Sequence, residues 1–250
     1  MPEQTAPFRE VAPGVYLLER AHVNCYLVLS DSVIVLVDGG LPRTWPVLKS
    51  ALSSIGATAD DIDVVLLTHG HFDHVGMCDR LSREAHRPIH VHDGDRDLVR
   101  HPYRYAHEKP RWQYPFRYPR SIPVLGQMVT AGALGIKGVQ AHGKVRPGEV
   151  LPGGLIPVPS PGHTLGHCGF YLEKQGVLFA GDAIVTLDPY TGETGPRIVA
   201  GAATANSETA LAGLDAYIDT GARLMLPGHG APHDQGIRDA VRAARIAGTR

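Results

Sequence analysis

Hydrophobic positions along the chain fall into short β-branched runs separated by helical stripes. Residues 15–19 and 23–29 alternate or run apolar about a short polar connection, which predicts a β-hairpin. Residues 33–37 predict a third strand, ended by Asp38-Gly39-Gly40. Residues 42–55 place Trp45, Leu48, Leu52 and Ile55 on one face of a helix. A buried strand at 63–67, a helix at 77–85 and a strand at 89–92 follow. Further on, strands at 168–172 and 176–180 flank a turn. A helix at 204–218, a strand at 223–226 and a helix at 235–247 close the chain. Strands in two batches with helices between them suit an α/β fold of two packed sheets with helices outside. No internal repeat interrupts this reading.

Two tracts break the rhythm. Residues 188–201 are rich in Gly, Pro and Thr and predict a loop. Residues 96–145 form the larger tract, read as an insertion within a single domain spanning 1–250. Between 96 and 120 it holds seven Lys/Arg against two Asp/Glu. Tyr103, Tyr105, Trp112, Tyr114, Phe116 and Tyr118 concentrate six of the chain's sixteen aromatics there. Pro110, Pro115 and Pro119 exclude one continuous helix. Residues 125–139 are apolar with four glycines and predict a short packed helix.

Composition narrows the classes. At 250 residues, with 43% hydrophobic and 20% charged, the chain can bury a full core. A net charge of -1 gives no reason to expect nucleic-acid or membrane partners. No stretch approaches the roughly 20 apolar residues of a membrane span. The first residues, Met1-Pro2-Glu3-Gln4, lack a basic n-region and an apolar h-region. The three cysteines, Cys25, Cys78 and Cys168, show no pairing pattern, and Cys25 and Cys168 read as small core residues. Together these features point to a reducing, cytoplasmic setting.

The chemistry concentrates in Thr68-His69-Gly70-His71-Phe72-Asp73-His74, a loop between the strand at 63–67 and the helix after Gly76. His69 and His71 alternate on an extended segment and can face one ion. Asp73 and His74 follow the turn and can reach a second. Imidazole nitrogen and carboxylate oxygen both suit a metal that takes about four ligands. Four ligands cannot fill two shells, so later residues must contribute. His163 in Ser160-Pro161-Gly162-His163-Thr164, Asp182 in Gly181-Asp182-Ala183 and His229 in Pro227-Gly228-His229-Gly230 stand at loop positions after predicted strands.

This set, in this order, resembles the metallo-β-lactamase superfamily in its H-x-H-x-D-H form. The resemblance covers nearly the whole chain and implies a four-layer αβ/βα sandwich with the site at one edge of the sheets. It implies two divalent ions, zinc by default, with iron or manganese as alternatives. His69, His71 and His163 would hold the first, and Asp73, His74 and His229 the second. Asp182 would bridge them. Two such cations make hydroxide available near neutral pH for attack on a carbonyl or phosphoryl centre. Asp73 is the catalytic candidate, placed to orient the hydroxide or take its proton. Ser160 lacks a G-x-S-x-G context and reads as structural. His167, four residues past His163, reads as structural before it reads as a support for the ligands. His22, in the first hairpin connection, is a candidate substrate contact, as are Trp112 and Tyr114. The remaining histidines lack ligand spacing.

Subfamily patterns favour some chemistries over others. Secreted β-lactamases of this group usually carry an export signal, and many lack the bridging aspartate. Glyoxalase II enzymes add a helical region after the last histidine, where 21 residues remain in this chain. Typical acyl-homoserine lactonases carry Tyr where Val185 stands. Flavodiiron proteins carry Glu where His71 stands, and persulfide dioxygenases differ around Asp182. The expected activity is therefore hydrolysis of an ester, thioester or lactone, with a small-molecule substrate that carries an anionic group. A phosphodiesterase or nuclease, a β-lactamase and a non-catalytic metal-dependent binding protein are the alternatives.

Overall fold

A computed structural model describes residues 8–30 and 32–250. The N-terminal residues read above for an export leader lie outside them. The first sheet opens with an antiparallel meander of β1 (Phe8–Ala12), β2 (Val15–Arg20), β3 (Val23–Ser30) and β4 (Val33–Val37). It continues in parallel through β5 (Val64–Leu66), β6 (Ile89–His92) and β7 (Gly143–Val145), in spatial order β1 to β7. The parallel pairs need crossovers, and helices provide them: α1 (Trp45–Ser54) between β4 and β5, and α2 (Cys78–Glu84) between β5 and β6. Between β6 and β7 the chain forms α3 (Arg96–Arg100), α4 (Tyr114–Arg117) and α5 (Ser121–Thr130).

The second sheet is built from β8 (Ile156–Pro159), β9 (Cys168–Leu172) and β10 (Val177–Gly181). A separate hairpin pairs β11 (Val185–Leu187) with β12 (Thr194–Arg197). Helices α6 (Ser207–Gly213) and α7 (Asp215–Ile218) lead to β13 (Leu224–Pro227), which joins the second sheet in the order β13-β10-β9-β8. The Asn206 side chain starts α6 by accepting a hydrogen bond from Thr209 N at 2.7 Å. Helix α8 (Ile237–Ala247) ends the fold.

Apolar burial defines the layers. Val15, Leu17, Val28 and Val35 from the first sheet meet Phe170, Leu172, Phe179 and Leu226 from the second. Tyr26 and Phe179 contact edge to face across this seam, with ring centroids 5.3 Å apart. The other face of the first sheet packs against α1 and α2 through Leu27, Leu36, Leu48, Leu52 and Leu81. The other face of the second sheet packs against α6 to α8. There Ile237, Ala240, Val241 and Ala244 supply an i, i+3, i+4, i+7 stripe. The result is an α/β sandwich of four layers, helices outside two facing sheets, as the resemblance implies.

Several local expectations change. The stretch 188–201 is not only a loop, because its residues 194–197 form β12 of a hairpin. The helix expected over 204–218 is two helices, α6 and α7. The tract 96–145 ends inside the framework, since β7 extends the first sheet. Its apolar part also joins the outer layer, with Val124, Met128, Ala131 and Ile136 in the cluster that holds α1 and α2.

Candidate metal centre

Six loops meet where the two sheets present the carboxyl ends of their strands. Asp38 follows β4, His69 to His74 follow β5, and Asp95 follows β6. His163, Asp182 and His229 follow β8, β10 and β13. The seven candidate ligands all converge here, and none is more than 5% exposed.

Their ligating atoms form overlapping groups. One atom each from His69, His71 and His163 lie within 4.8 Å of one another, and so do those of Asp73, His74 and His229. A third group, His69, His74 and Asp182, joins the first two. Asp182 stands between them: its Oδ1 is 3.4 Å from His74 Nε2, and its Oδ2 is 3.2 Å from His229 Nε2 and 3.6 Å from His163 Nε2. Asp73 Oδ2 is 3.3 Å from His229 Nε2. Glycine is required alongside: a Cβ on Gly228 would lie 2.0 Å from Asp182 Oδ1.

Hydrogen bonds fix how four imidazoles present themselves. Asp38 accepts from His74 Nδ1 at 3.0 Å and from Thr68 N at 2.8 Å. The Thr68 hydroxyl donates to Asp38, so it must accept from His69 Nδ1, 3.0 Å away. Thr204 donates to Val199 O at 2.6 Å and therefore accepts from His163 Nδ1 at 3.2 Å. The carbonyl of His22 accepts from His229 Nδ1 at 3.0 Å. With each Nδ1–H committed, each Nε2 lone pair points into the cluster. His71 is the exception, because its Nδ1 faces His163 Nε2 at 3.0 Å.

The donor set fits divalent metal. His69 Nε2, His74 Nε2 and Asp182 Oδ1 are buried without any hydrogen-bond partner, a costly arrangement unless a cation takes their lone pairs. Burial pushes His69 and His71 well below the usual histidine range and His163 down to about 4, which keeps them neutral, the form that binds metal. Burial alone would raise the Asp182 carboxyl, yet His229 and His74 beside it hold it well below the usual carboxylate range. Burial also opposes charge on His229, but Asp182 and Asp73 raise it to about 10. The carboxylates thus call for positive charge in the cluster, which divalent ions would supply.

The family model described as the metallo-beta-lactamase superfamily matches residues 18–229. The chain belongs to the metallo-β-lactamase superfamily. YobT of Bacillus subtilis (strain 168) is 30% identical over 167 residues, 64% of this chain and 61% of that protein. The chain thus spans less than two thirds of that relative's length. A hydroxyacylglutathione hydrolase of Rhodobacter capsulatus is 26% identical over 88% of this chain and 72% of its own length. The crystal structure of a metallo-beta-lactamase family protein from Thermus thermophilus superposes with a TM-score of 0.67 at 27% identity, covering 93% of this chain and 78% of that one.

Around this superfamily site stand residues whose roles the sequence hides. Asp95 clamps two ligand loops together: its carboxylate accepts from Gly70 N at 2.9 Å, Thr164 Oγ1 at 2.7 Å and Gly166 N at 2.7 Å. His167 Nε2 accepts from Asp182 N at 3.0 Å. Its Nδ1 then donates to Ser160 Oγ at 2.8 Å, and Ser160 donates to Tyr217, whose hydroxyl donates to Ala180 O at 2.9 Å. His167 and Ser160 therefore hold the backbone on both sides of Gly181.

The aromatic tract meets the superfamily site through Tyr105, not Tyr114. The Tyr105 ring lies 4.0 Å from that of His71, under the Arg111 guanidinium at 3.9 Å. Its hydroxyl bonds Tyr190 at 2.9 Å. Tyr114 packs on the far side of Tyr190, with ring centroids 6.0 Å apart. Tyr114 is buried among Ala200 and Ala202 and donates to Arg250 O at 2.9 Å. Tyr114 therefore stands one tyrosine removed from Tyr105, the ring that meets His71. Trp112 is 69% exposed. His22 is half-buried and touches the cluster through its backbone carbonyl. Tyr114→Ala is expected to lower stability by about 3 kcal/mol, as large-to-small core changes do. Trp112→Ala should stay within about 0.5 kcal/mol of wild type. Denaturant melts of the two variants check this, and matching midpoints would refute the burial argument.

Proposed function

We propose that the protein is a dinuclear metal-dependent hydrolase acting on an ester, thioester or lactone. The observation that carries this reading is Asp182, whose Oδ1 faces His74 of one group while its Oδ2 faces His229 of that group and His163 of the other. His69, His71 and His163 would hold one ion, and Asp73, His74 and His229 the other. When bound, the ions supply Lewis acidity, which polarises a carbonyl and lowers the pKa of a coordinated water. Asp73 orients the attacking water and accepts its proton. Asp38, Thr68, Thr204 and the His22 carbonyl keep the imidazoles aimed throughout turnover.

A cysteine nucleophile does not suit this site. Burial raises all three thiols, Cys168 to about 12 and the other two further, so thiolate is scarce. Support for acyl transfer comes from the relatives named hydroxyacylglutathione hydrolase. Zinc suits the nitrogen-rich donor set, although iron and manganese can use the same ligands. The basic tract favours a substrate with an anionic group.

The test is a panel of thioesters, esters, lactones and a chromogenic phosphodiester, run on protein of measured metal content. Turnover of acyl substrates that tracks metal content is expected. Turnover confined to the phosphodiester would overturn the assignment.

A further inference from the structure

Behind the tyrosine pair 105/190, on the side away from His71, the surface sinks into a pocket of about 330 Å³. Lys109, Gln113, Arg117, Tyr118 and Arg250 line it, with Tyr114 in its wall. No acidic side chain takes part in the lining. Among the described residues neither Lys109 nor Arg117 has an ionic partner. Arg250 differs, because Glu193 accepts from its Nε at 3.2 Å. The Gln113 amide and the Tyr118 hydroxyl likewise have no hydrogen-bond partner among the described residues. Four donor side chains thus converge on one concavity with none of them satisfied by those residues.

The lining is therefore cationic and rich in hydrogen-bond donors. Some other arginines pair with carboxylates one turn away: Arg80 with Glu84, Arg83 with Asp79, and Arg146 with Glu149. Of the three cations that line the pocket, Lys109 and Arg117 have no such carboxylate among the described residues. Arg117 lies over the Tyr118 ring at 5.8 Å, which limits where its guanidinium can go. Lys109 is anchored by its own backbone, whose N donates to Gly201 O at 2.9 Å. A guanidinium fork, a point charge, a phenol and an amide together match the oxygens of a phosphate group. At about 30 Å³ per water in the liquid, the pocket has room for a phosphate together with part of the molecule that bears it.

We propose that this pocket binds a phosphorylated small molecule, at a site separate from the metal cluster. Tyr114, Tyr190 and Tyr105 lie in sequence between the two sites, each in contact with the next.

The test is calorimetric titration of the metal-loaded protein with glycerol phosphate, comparing wild type with the double variant Lys109→Gln/Arg117→Gln. Both side chains are exposed, so the variant should fold and keep its metal. Binding to wild type is expected, with affinity falling at least about tenfold in the double variant. Arg117→Glu alone should reduce it further than Arg117→Gln. No binding to wild type overturns the proposal. So does binding that the double variant retains, because the phosphate would then sit on the metals. The readout involves no turnover, so it stands or fails apart from the assignment of a hydrolase.

Discussion

Asp182→Ala is expected to lower bound metal from about two equivalents per chain to one or fewer, and to reduce turnover at least about 100-fold. Removing a group that supports a ligand typically costs 10–100-fold in affinity or activity. Asp182 itself faces four histidines, so its loss should exceed that. The change also leaves His74 and His229 facing an enlarged gap without their main source of negative charge. Metal analysis after dialysis against metal-replete buffer gives the first number, and rates on the best acyl substrate give the second. Retention of two equivalents would show that the ions do not share this carboxylate.

Much of this site is legible in the chain because its seven polar side chains follow strands and sit in short, recognisable contexts. The run from His69 to His74 carries its own spacing, and His163, Asp182 and His229 each stand beside glycine. The supports are not legible. Asp38 stands alone in the sequence and Asp95 is one of three alternating aspartates, 93, 95 and 97, and their partners lie about 30 and 70 residues away. A signal does exist for Asp38: a β-branched strand running into Asp-Gly-Gly marks a turn, and Asp38 takes a left-handed backbone with φ 63°. Tyr105 and Tyr114 look alike in a proline-rich basic run, and only packing tells which touches His71. Strand β12, Thr194–Arg197, contains Gly195 and Pro196, the residues that argue against a strand. Its pairing with β11 overrides that local preference.

Asp38→Asn is expected to weaken metal binding about 10–100-fold while leaving the fold intact. Asparagine tolerates the left-handed backbone, and the amide keeps the volume of the carboxylate. It cannot accept from both Thr68 and His74 with the same charge, so His74 Nδ1–H loses its anionic partner. His69 is affected too, because Thr68 stands between Asp38 and His69 Nδ1. Competition against a chromogenic chelator measures the affinity, and circular dichroism checks the fold. Unchanged affinity would mean that His74 is held by packing alone.

The ligands come from both sheets. His69, His71, Asp73 and His74 belong to the loop after β5, whereas His163, Asp182 and His229 follow strands of the other sheet. Neither half of the chain holds a complete set of candidate ligands, so each ion, when bound, would tie one sheet's loops to the other's. Ion binding and the docking of the two sheets are then one equilibrium read at two places. An ion at 1,000 times its dissociation constant would add about 4 kcal/mol to the folded state. Chelation would therefore do more than silence the proposed chemistry, since it would withdraw a cross-link between the two halves of the molecule.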